Sequence, residues 1–324
     1  MYIQRRNYES INHIKNHLLD IDHLSKDFIY DFLTETKKIK YSPETSKNFN
    51  HEKNICALFY ENSTRTKLSF QKACSNINAV FHNLDIQTSS VNKGETFYNT
   101  IKTINSIGMD LIIIRHSSSG APYFLAKNTY SSVVNAGDGA HAHPTQTLSD
   151  LYTIFEISNK FEDLEVSIIG DILYSRVARS NILGLLKMGS KINILGPREL
   201  VPEDVVDLYS TIDKSYKNKI SYYEDFEKPI LSSDFLIALR IQKERFDKNT
   251  DLNFDTYKTK WKIDLDVLRN LKREDVFIMH PGPVNEEVEL SHELVHSEKS
   301  LISNQVENGV FVRQKIMEKL LNEK

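Results

Sequence analysis

Glu61-Asn62-Ser63-Thr64-Arg65-Thr66 decides how this chain is read. The apolar run Ile55-Cys56-Ala57-Leu58-Phe59 enters it, and Leu68, Phe70, Ala73, Cys74 and Ile77 leave it at helical spacing. A short apolar run bounded by turn signals reads as a buried strand, and a 3.6-residue period reads as an amphipathic helix. The polar segment is therefore a strand-to-helix turn. The first backbone N–H groups of a helix have no intrahelical acceptor and carry the positive end of its dipole. Hydroxyls at Ser63, Thr64 and Thr66 and the planar guanidinium of Arg65 add donors in a geometry that suits phosphate. Two readings compete: an N-cap cluster with a structural salt bridge, and an oxyanion site. Three hydroxyls and an arginine within four residues exceed what capping needs, which favours the oxyanion site.

The alternation of strand, turn and helix extends in both directions. Upstream, Ile14, Leu18, Leu24, Phe28 and Leu33 look like parts of helices joined near 20–25, followed by a polar loop over 41–53. Downstream, strands are expected at 80–84, 111–114, 133–137, 166–169, 192–195, 220–223, 235–239 and 276–279. Helices are expected between them: one stopping at Gly108, one starting at Pro144, one stopping at Gly189, one from Pro202, and a last one from about Ser303. Such alternation implies a mostly parallel sheet with helices on both faces. Eight or nine strands are too many for one lobe, so the fold expected is α/β with two doubly wound lobes, each with its own core. A TIM barrel competes, but the long stretches after Gly189 and Arg240 break its repeat. The break is expected at Ala142–Thr145, with the helix from Pro144 bridging the lobes.

The formal net charge of −3 over 324 residues gives no electrostatic footprint for nucleic acid. An anion must be held by local arginines rather than by a global field. Cys56 and Cys74, the two cysteines, sit in an apolar strand and on an apolar helix face, which suggests neither a disulfide framework nor a metal site. No apolar stretch reaches membrane-spanning length, and residues 1–10 hold no signal-like apolar segment. A cytoplasmic protein without a membrane or nucleic-acid partner is expected.

Arg65, Arg115, His143, Arg240 and His280 all stand just past the C-terminal ends of expected strands, where open α/β sheets bind ligands. Arg176 follows a few residues into its turn, at a helix start that the dipole makes unfavourable for a cation unless it faces an anion. Singly, each is an ordinary surface residue; repeated at that position, they suggest one cationic cleft. His143 precedes a helix start, and a cap or core donor weighs equally with a site residue there. The segment from Thr88 to Thr96 reads as solvated turn, and Lys93 matters only if it reaches a site.

At this level of detail the chain resembles the catalytic chains of the aspartate carbamoyltransferase family over nearly its whole length. The carrying motifs are Phe59 to Thr66, Ser89 to Thr96 with Lys93-Gly94-Glu95-Thr96, Ile114-Arg115-His116 and Asn135-Ala136-Gly137-Asp138-Gly139. To these are added His143-Pro144-Thr145-Gln146, Gly170-Asp171 with Ser175-Arg176, Arg240-Ile241-Gln242-Lys243-Glu244-Arg245 and His280-Pro281-Gly282-Pro283. Ornithine carbamoyltransferases share the first-lobe motif but carry a cysteine-containing segment at 280–283 and lack the Lys93 loop and the Arg240-x-Gln242 pair. The resemblance implies transfer of the carbamoyl group of carbamoyl phosphate to L-aspartate in pyrimidine synthesis, with neither metal nor organic cofactor. It implies that 1–142 with 296–324 binds carbamoyl phosphate and that 143–295 binds aspartate. It implies that Ser63, Thr64, Arg65, Thr66 and Arg115 hold phosphate, and that Thr66, Arg115 and His143 face the carbonyl oxygen. Gln146 and the Pro281-Gly282 backbone would meet the carbamoyl amide, and Arg176, Arg240 and Gln242 the aspartate carboxylates. Ser89 and Lys93 would enter from a neighbouring chain of a homotrimer, to which a regulatory chain could add. Glu61 would pair with Arg176 and Arg245. Ala142, Gly282 and Val284 are small departures from the pattern, and none removes a catalytic group. Another amine acceptor such as ornithine, or a silent anion-binding homologue, are the alternatives.

Overall fold

The computed structural model describes residues 17–45, 49, 52–86, 94–246 and 252–322. Two five-stranded sheets form, and every strand pairing in them is parallel. The first holds β1 (His17–Leu18), β2 (Asn54–Phe59), β3 (Val80–Asp85), β4 (Leu111–His116) and β5 (Ser132–Asp138), in the order β1-β5-β4-β2-β3. The second holds β6 (Glu165–Ile169), β7 (Lys191–Leu195), β8 (Ile220–Tyr223), β9 (Phe235–Ala238) and β10 (Phe277–Met279), in the order β10-β9-β6-β7-β8. The expected pair of doubly wound lobes is therefore what the chain builds, and the barrel alternative is excluded. Each sheet reverses its winding once, between β2 and β4 in the first and between β6 and β9 in the second. Crevices at the carboxyl ends of strands open at such reversals.

The strands follow from composition. Leu111, Ile112, Ile113 and Ile114 of β4 are all fully buried, as a strand covered on both faces requires. Helices Phe97–Ile107 and Arg176–Met188 stop at Gly108 and Gly189, both left-handed C-caps.

Three expectations are corrected. Residues 17–18 are not helical: His17 and Leu18 pair with Val133 and Val134 at the sheet edge, and the His17 ring accepts the Val133 N–H at 3.1 Å. Two residues carry no period to read, so pairing alone sets their conformation. The helix expected from Pro202 begins at Val205, because 202–204 form a turn closed by the Val205 N–H on the Pro202 carbonyl at 3.2 Å. The lobes do not have separate cores. One apolar cluster runs from Phe70 and Val134 through Leu148, Leu151 and Ile154 to Ile168 and Ile182. Helix Pro144–Ser158, buried along most of its length, carries this cluster from one sheet to the other. Each sheet has a second, smaller cluster of its own.

The last helix, Ile302–Asn322, returns to the first sheet and packs against helices Thr64–Asn76, Pro144–Ser158 and Lys26–Tyr41. Helix Ala121–Asn128 adds an element that periodicity does not announce. No helix among the described residues is long and apolar enough to cross a membrane.

Candidate active site

A cleft of about 1140 Å³ opens between the carboxyl edges of the two sheets. Three adjacent strands of each sheet supply it: β2, β4 and β5 from the first, β6, β9 and β10 from the second. Ser63, Thr64, Arg65, Thr66, Arg115, His143, Gln146, Arg176, Arg240, Gln242, Pro281 and Gly282 all line it. Ser89 and Lys93 lie outside the described residues.

Ser63 occupies the N-cap position of helix Thr64–Asn76, yet its hydroxyl accepts no capping bond from the first turn. Instead Oγ accepts a long hydrogen bond from Arg115 Nη1 at 3.4 Å. The capping explanation of the Ser-Thr-Arg-Thr turn therefore fails for its first hydroxyl. Thr66 is buried, whereas Thr64 and Arg65 are exposed to the cleft. A Cβ at Gly282 would fall 1.2 Å from Arg65 Nη1, so the bare backbone there is what admits the guanidinium in this position.

Glu61 is the carboxylate on which three of the cleft's arginines converge. Its Oε2 accepts from Arg176 Nη2 at 2.8 Å and lies 3.3 Å from Arg115 Nε, while Oε1 lies 3.8 Å from Arg245 Nη2. The expected pairs with Arg176 and Arg245 form, and Arg115 is a third partner. Arg176 is buried and also donates to the Gly139 carbonyl at 3.1 Å. Its place depends on Gly137, where a Cβ would meet Arg176 Nε at 2.8 Å. Burial, with Arg176 beside it, brings the Arg115 guanidinium down to about 9, and Glu61 opposes the fall. On the opposite wall Arg240 donates to Gln242 Oε1 at 2.9 Å and pairs with Glu244. The Gln242 N–H in turn donates to Asp171 at 2.9 Å.

Both histidines of the cleft are held neutral. Burial pushes His143 well below the usual imidazole range, and Arg176, Arg115 and Arg313 push in the same direction. Its backbone N–H donates to Ser180 Oγ at 3.0 Å, and its side chain does not cap the helix. Burial likewise brings His280 down to about 3, with Arg65 and Arg240 adding to the effect. The His280 Nδ1 accepts the Gly282 N–H at 2.9 Å, which shapes the turn that follows β10.

Three residues that the sequence reading passes over support this cleft. Asp150, 2% exposed, accepts from Gln146 at 2.8 Å, Gln305 at 2.8 Å and Asn181 at 2.7 Å. Gln305 Oε1 accepts the His280 N–H at 2.9 Å, so one carboxylate ties Gln146 to the end of β10. Arg313 is buried on the last helix, reaches the cleft and stacks its guanidinium 5.3 Å from the Phe70 ring. For Asp150 and Arg313 the signal is a charged group beside apolar helical neighbours, Leu148 and Leu151 for the one and Val310, Phe311 and Val312 for the other; Gln305 stands among polar residues and gives none. By contrast, the 135–139 motif is turn scaffolding. Asn135 donates to Asp138 and to the Leu19 carbonyl, and Asp138 accepts the N–H of Gly120 and Ala142.

The lining holds six arginines against two glutamates, and no lysine or aspartate among the described residues. This geometry meets two matching halves of one family. The carbamoyl-P binding domain of aspartate/ornithine carbamoyltransferases matches residues 16–156, and their Asp/Orn binding domain matches 162–320. The chain belongs to the aspartate/ornithine carbamoyltransferase family. Among its relatives is the aspartate carbamoyltransferase catalytic subunit of Ruminiclostridium cellulolyticum, 46% identical over 82% of this chain and 81% of the relative. That of Carboxydothermus hydrogenoformans is 38% identical over 94% and 95%. Among solved structures, aspartate transcarbamoylase from Trypanosoma cruzi in complex with N-(phosphonacetyl)-L-aspartic acid superposes with a TM-score of 0.87. It is 27% identical, over 94% of this chain and 96% of that one. The catalytic subunit of the M. jannaschii enzyme gives a TM-score of 0.81 at 30% identity, over 95% and 99%.

Proposed function

We propose that this carbamoyltransferase moves the carbamoyl group of carbamoyl phosphate to the amino group of L-aspartate, releasing phosphate, as a step of pyrimidine synthesis in the cytoplasm. The observation that carries the reading is the excess of arginine in a cleft built on both winding reversals. A phosphate group and two substrate carboxylates suit such a lining. An ornithine ammonium would instead meet Arg176, Arg240 and Arg245 and leave their guanidiniums without a carboxylate.

In this reading residues 1–142 with 296–324 bind carbamoyl phosphate and 143–295 bind aspartate. Ser63, Thr64, Arg65, Thr66 and Arg115 take the phosphate at the start of helix Thr64–Asn76, where dipole and donors converge. The amine attacks the carbamoyl carbon and a C–N bond forms. Negative charge builds on the carbonyl oxygen facing Thr66, Arg115 and His143, then passes to phosphate as the C–O bond breaks. Fixed donors stabilise such charge most where water is excluded. His143, being neutral, serves as a hydrogen-bond donor rather than as a cation or base. The amine proton leaves on the departing phosphate. Gln146 and the Pro281-Gly282 backbone orient the carbamoyl amide, and Arg176, Arg240 and Gln242 hold the aspartate carboxylates. Neither metal nor organic cofactor enters a step.

Phosphate release from carbamoyl phosphate, measured with aspartate and with ornithine, tests the assignment. Release that depends on aspartate supports it, and faster turnover of ornithine refutes it. Ser89 and Lys93 complete the site from a neighbouring chain of a homotrimer, a reading that rests on the match of the 89–96 motif. Lys93→Ala and His143→Ala trimers should each be nearly inactive, and mixed trimers should regain part of the activity. Exchange without recovery would refute the shared site.

A further inference from the structure

Outside the cleft, the turn after β10 and the short helix His292–Val295 bring three donor side chains together: Glu286, His292 and His296. All three are exposed, and none lines the cleft. His292 Nδ1 lies 2.6 Å from Glu286 Oε2, and His296 Nε2 lies 3.6 Å from Glu286 Oε1. One helical turn separates the two histidines, and their ring centroids are 4.5 Å apart. The three donor atoms all lie within 4.8 Å of one another.

A histidine beside a glutamate on a surface is ordinarily a hydrogen bond and no more. What exceeds that here is the second imidazole, one turn along the helix and turned to the same carboxylate. A tetrahedral ion with nitrogen and oxygen ligands at about 2.0–2.2 Å sets its donors roughly 3.3–3.6 Å apart. The three donor atoms, all within 4.8 Å of one another, stand little more than 1 Å beyond that spacing at most.

The backbone beneath the cluster is fixed. Glu287 accepts the His292 N–H at 2.8 Å and pairs with Lys262 at 3.0 Å, and its own N–H donates to the Leu290 carbonyl at 2.8 Å. Buried Glu289 holds the Asn285 N–H at 2.9 Å. The ends of the cluster are therefore positioned before any ligand arrives.

We propose that Glu286, His292 and His296 form a surface site for a divalent transition-metal ion, with water completing its shell. Two imidazoles and one carboxylate select the zinc, nickel and copper class over magnesium or calcium, which require oxygen ligands. Coordination by His292 Nδ1 uses the tautomer with its proton on Nε2, and the contact with Glu286 is exchanged for coordination. The site is separate from the transferase chemistry and does not depend on it. It links the chain that leaves the cleft at Pro283 to the helix His292–Val295.

The test uses the untagged full-length chain, stripped with chelator, desalted and titrated with Ni²⁺ by calorimetry beside the His292→Ala/His296→Ala double variant. Wild type should bind one more ion per chain than the variant. Loss of even an outer-shell partner weakens metal sites about 10–100-fold, so Glu286→Gln should weaken the extra ion by at least about tenfold. Zn²⁺ should displace it, and Mg²⁺ in about tenfold excess should not. Carbamoyltransferase activity of the double variant without metal should equal wild type, which shows that it folds. Equal Ni²⁺ stoichiometry in wild type and double variant, or an extra ion indifferent to Glu286→Gln, would overturn the proposal.

Discussion

Replacing Asp150 by alanine removes the carboxylate on which three side-chain amides converge, those of Gln146, Gln305 and Asn181. Hydrogen bonds to a charged group contribute about 1.5–3 kcal/mol each, which sets a gross loss of roughly 5–9 kcal/mol. Part of this is returned, because burial opposes the charge of Asp150 and raises its carboxyl above the usual range. Breaking a buried charged contact by deleting one partner typically costs about 3–5 kcal/mol, and that is the expected net loss. For a chain of this size the melting temperature should fall by on the order of 4–7 °C. Asp150→Asn keeps the volume but converts one acceptor to a donor, so it should lose less. The functional consequence is more specific. With Asp150 gone, the Gln146 amide has no fixed orientation, and the KM for carbamoyl phosphate should rise. Adding Gln146→Ala to Asp150→Ala should then change little, giving a coupling of at least about 1 kcal/mol in a double-mutant cycle. Denaturant unfolding and steady-state phosphate release measure the two halves. A loss below about 1 kcal/mol together with independent, additive effects on KM would refute the network as described.

Arg240→Ala should raise the KM for aspartate steeply and that for carbamoyl phosphate much less. Equal changes in both would remove Arg240 from the acceptor side. His280 titrates at about 3 in the folded chain against 6.5 for an ordinary imidazole. Its contribution to stability is therefore complete above pH 6.5 and is lost progressively as the pH falls towards 3, on the order of 5 kcal/mol across that window. His280→Asn, which does not titrate, should flatten the dependence of unfolding free energy on pH between those limits; an unchanged slope would count against a neutral His280.

The fold was legible where burial writes itself into composition. β4 is an unbroken apolar run, and the helices that end at Gly108 and Gly189 announce their stops. β1 was not legible, because two residues acquire their conformation only from Val133 and Val134. Helix Ala121–Asn128 begins after a left-handed glycine with no capping side chain, and its eight residues are too few for a clear period. Strand-end position found the cations of the cleft, since topology places such residues together without further information. It could not show which were already engaged. That Glu61 binds Arg115 as well as Arg176, or that Glu244 covers Arg240, is decided by side-chain reach in three dimensions. Asp150 and Arg313 escaped for a related reason: each lies on a helix, away from strand ends, and acts from beneath the site.

The returning helix Ile302–Asn322 has a consequence for how the chain is made. Met317 meets Cys74 at 3.6 Å, Gln314 accepts from Asn76 at 2.9 Å, and Ile316, Leu320 and Leu321 join the shared apolar cluster. The first lobe is thus closed by a helix that follows the whole of the second sheet in the chain. During synthesis, helix Thr64–Asn76, which carries the anion site, keeps one greasy face open until helix Ile302–Asn322 has emerged. Loss of the last turns of helix Ile302–Asn322 would therefore be felt in the distant first lobe, whose early-made helix would be left uncovered.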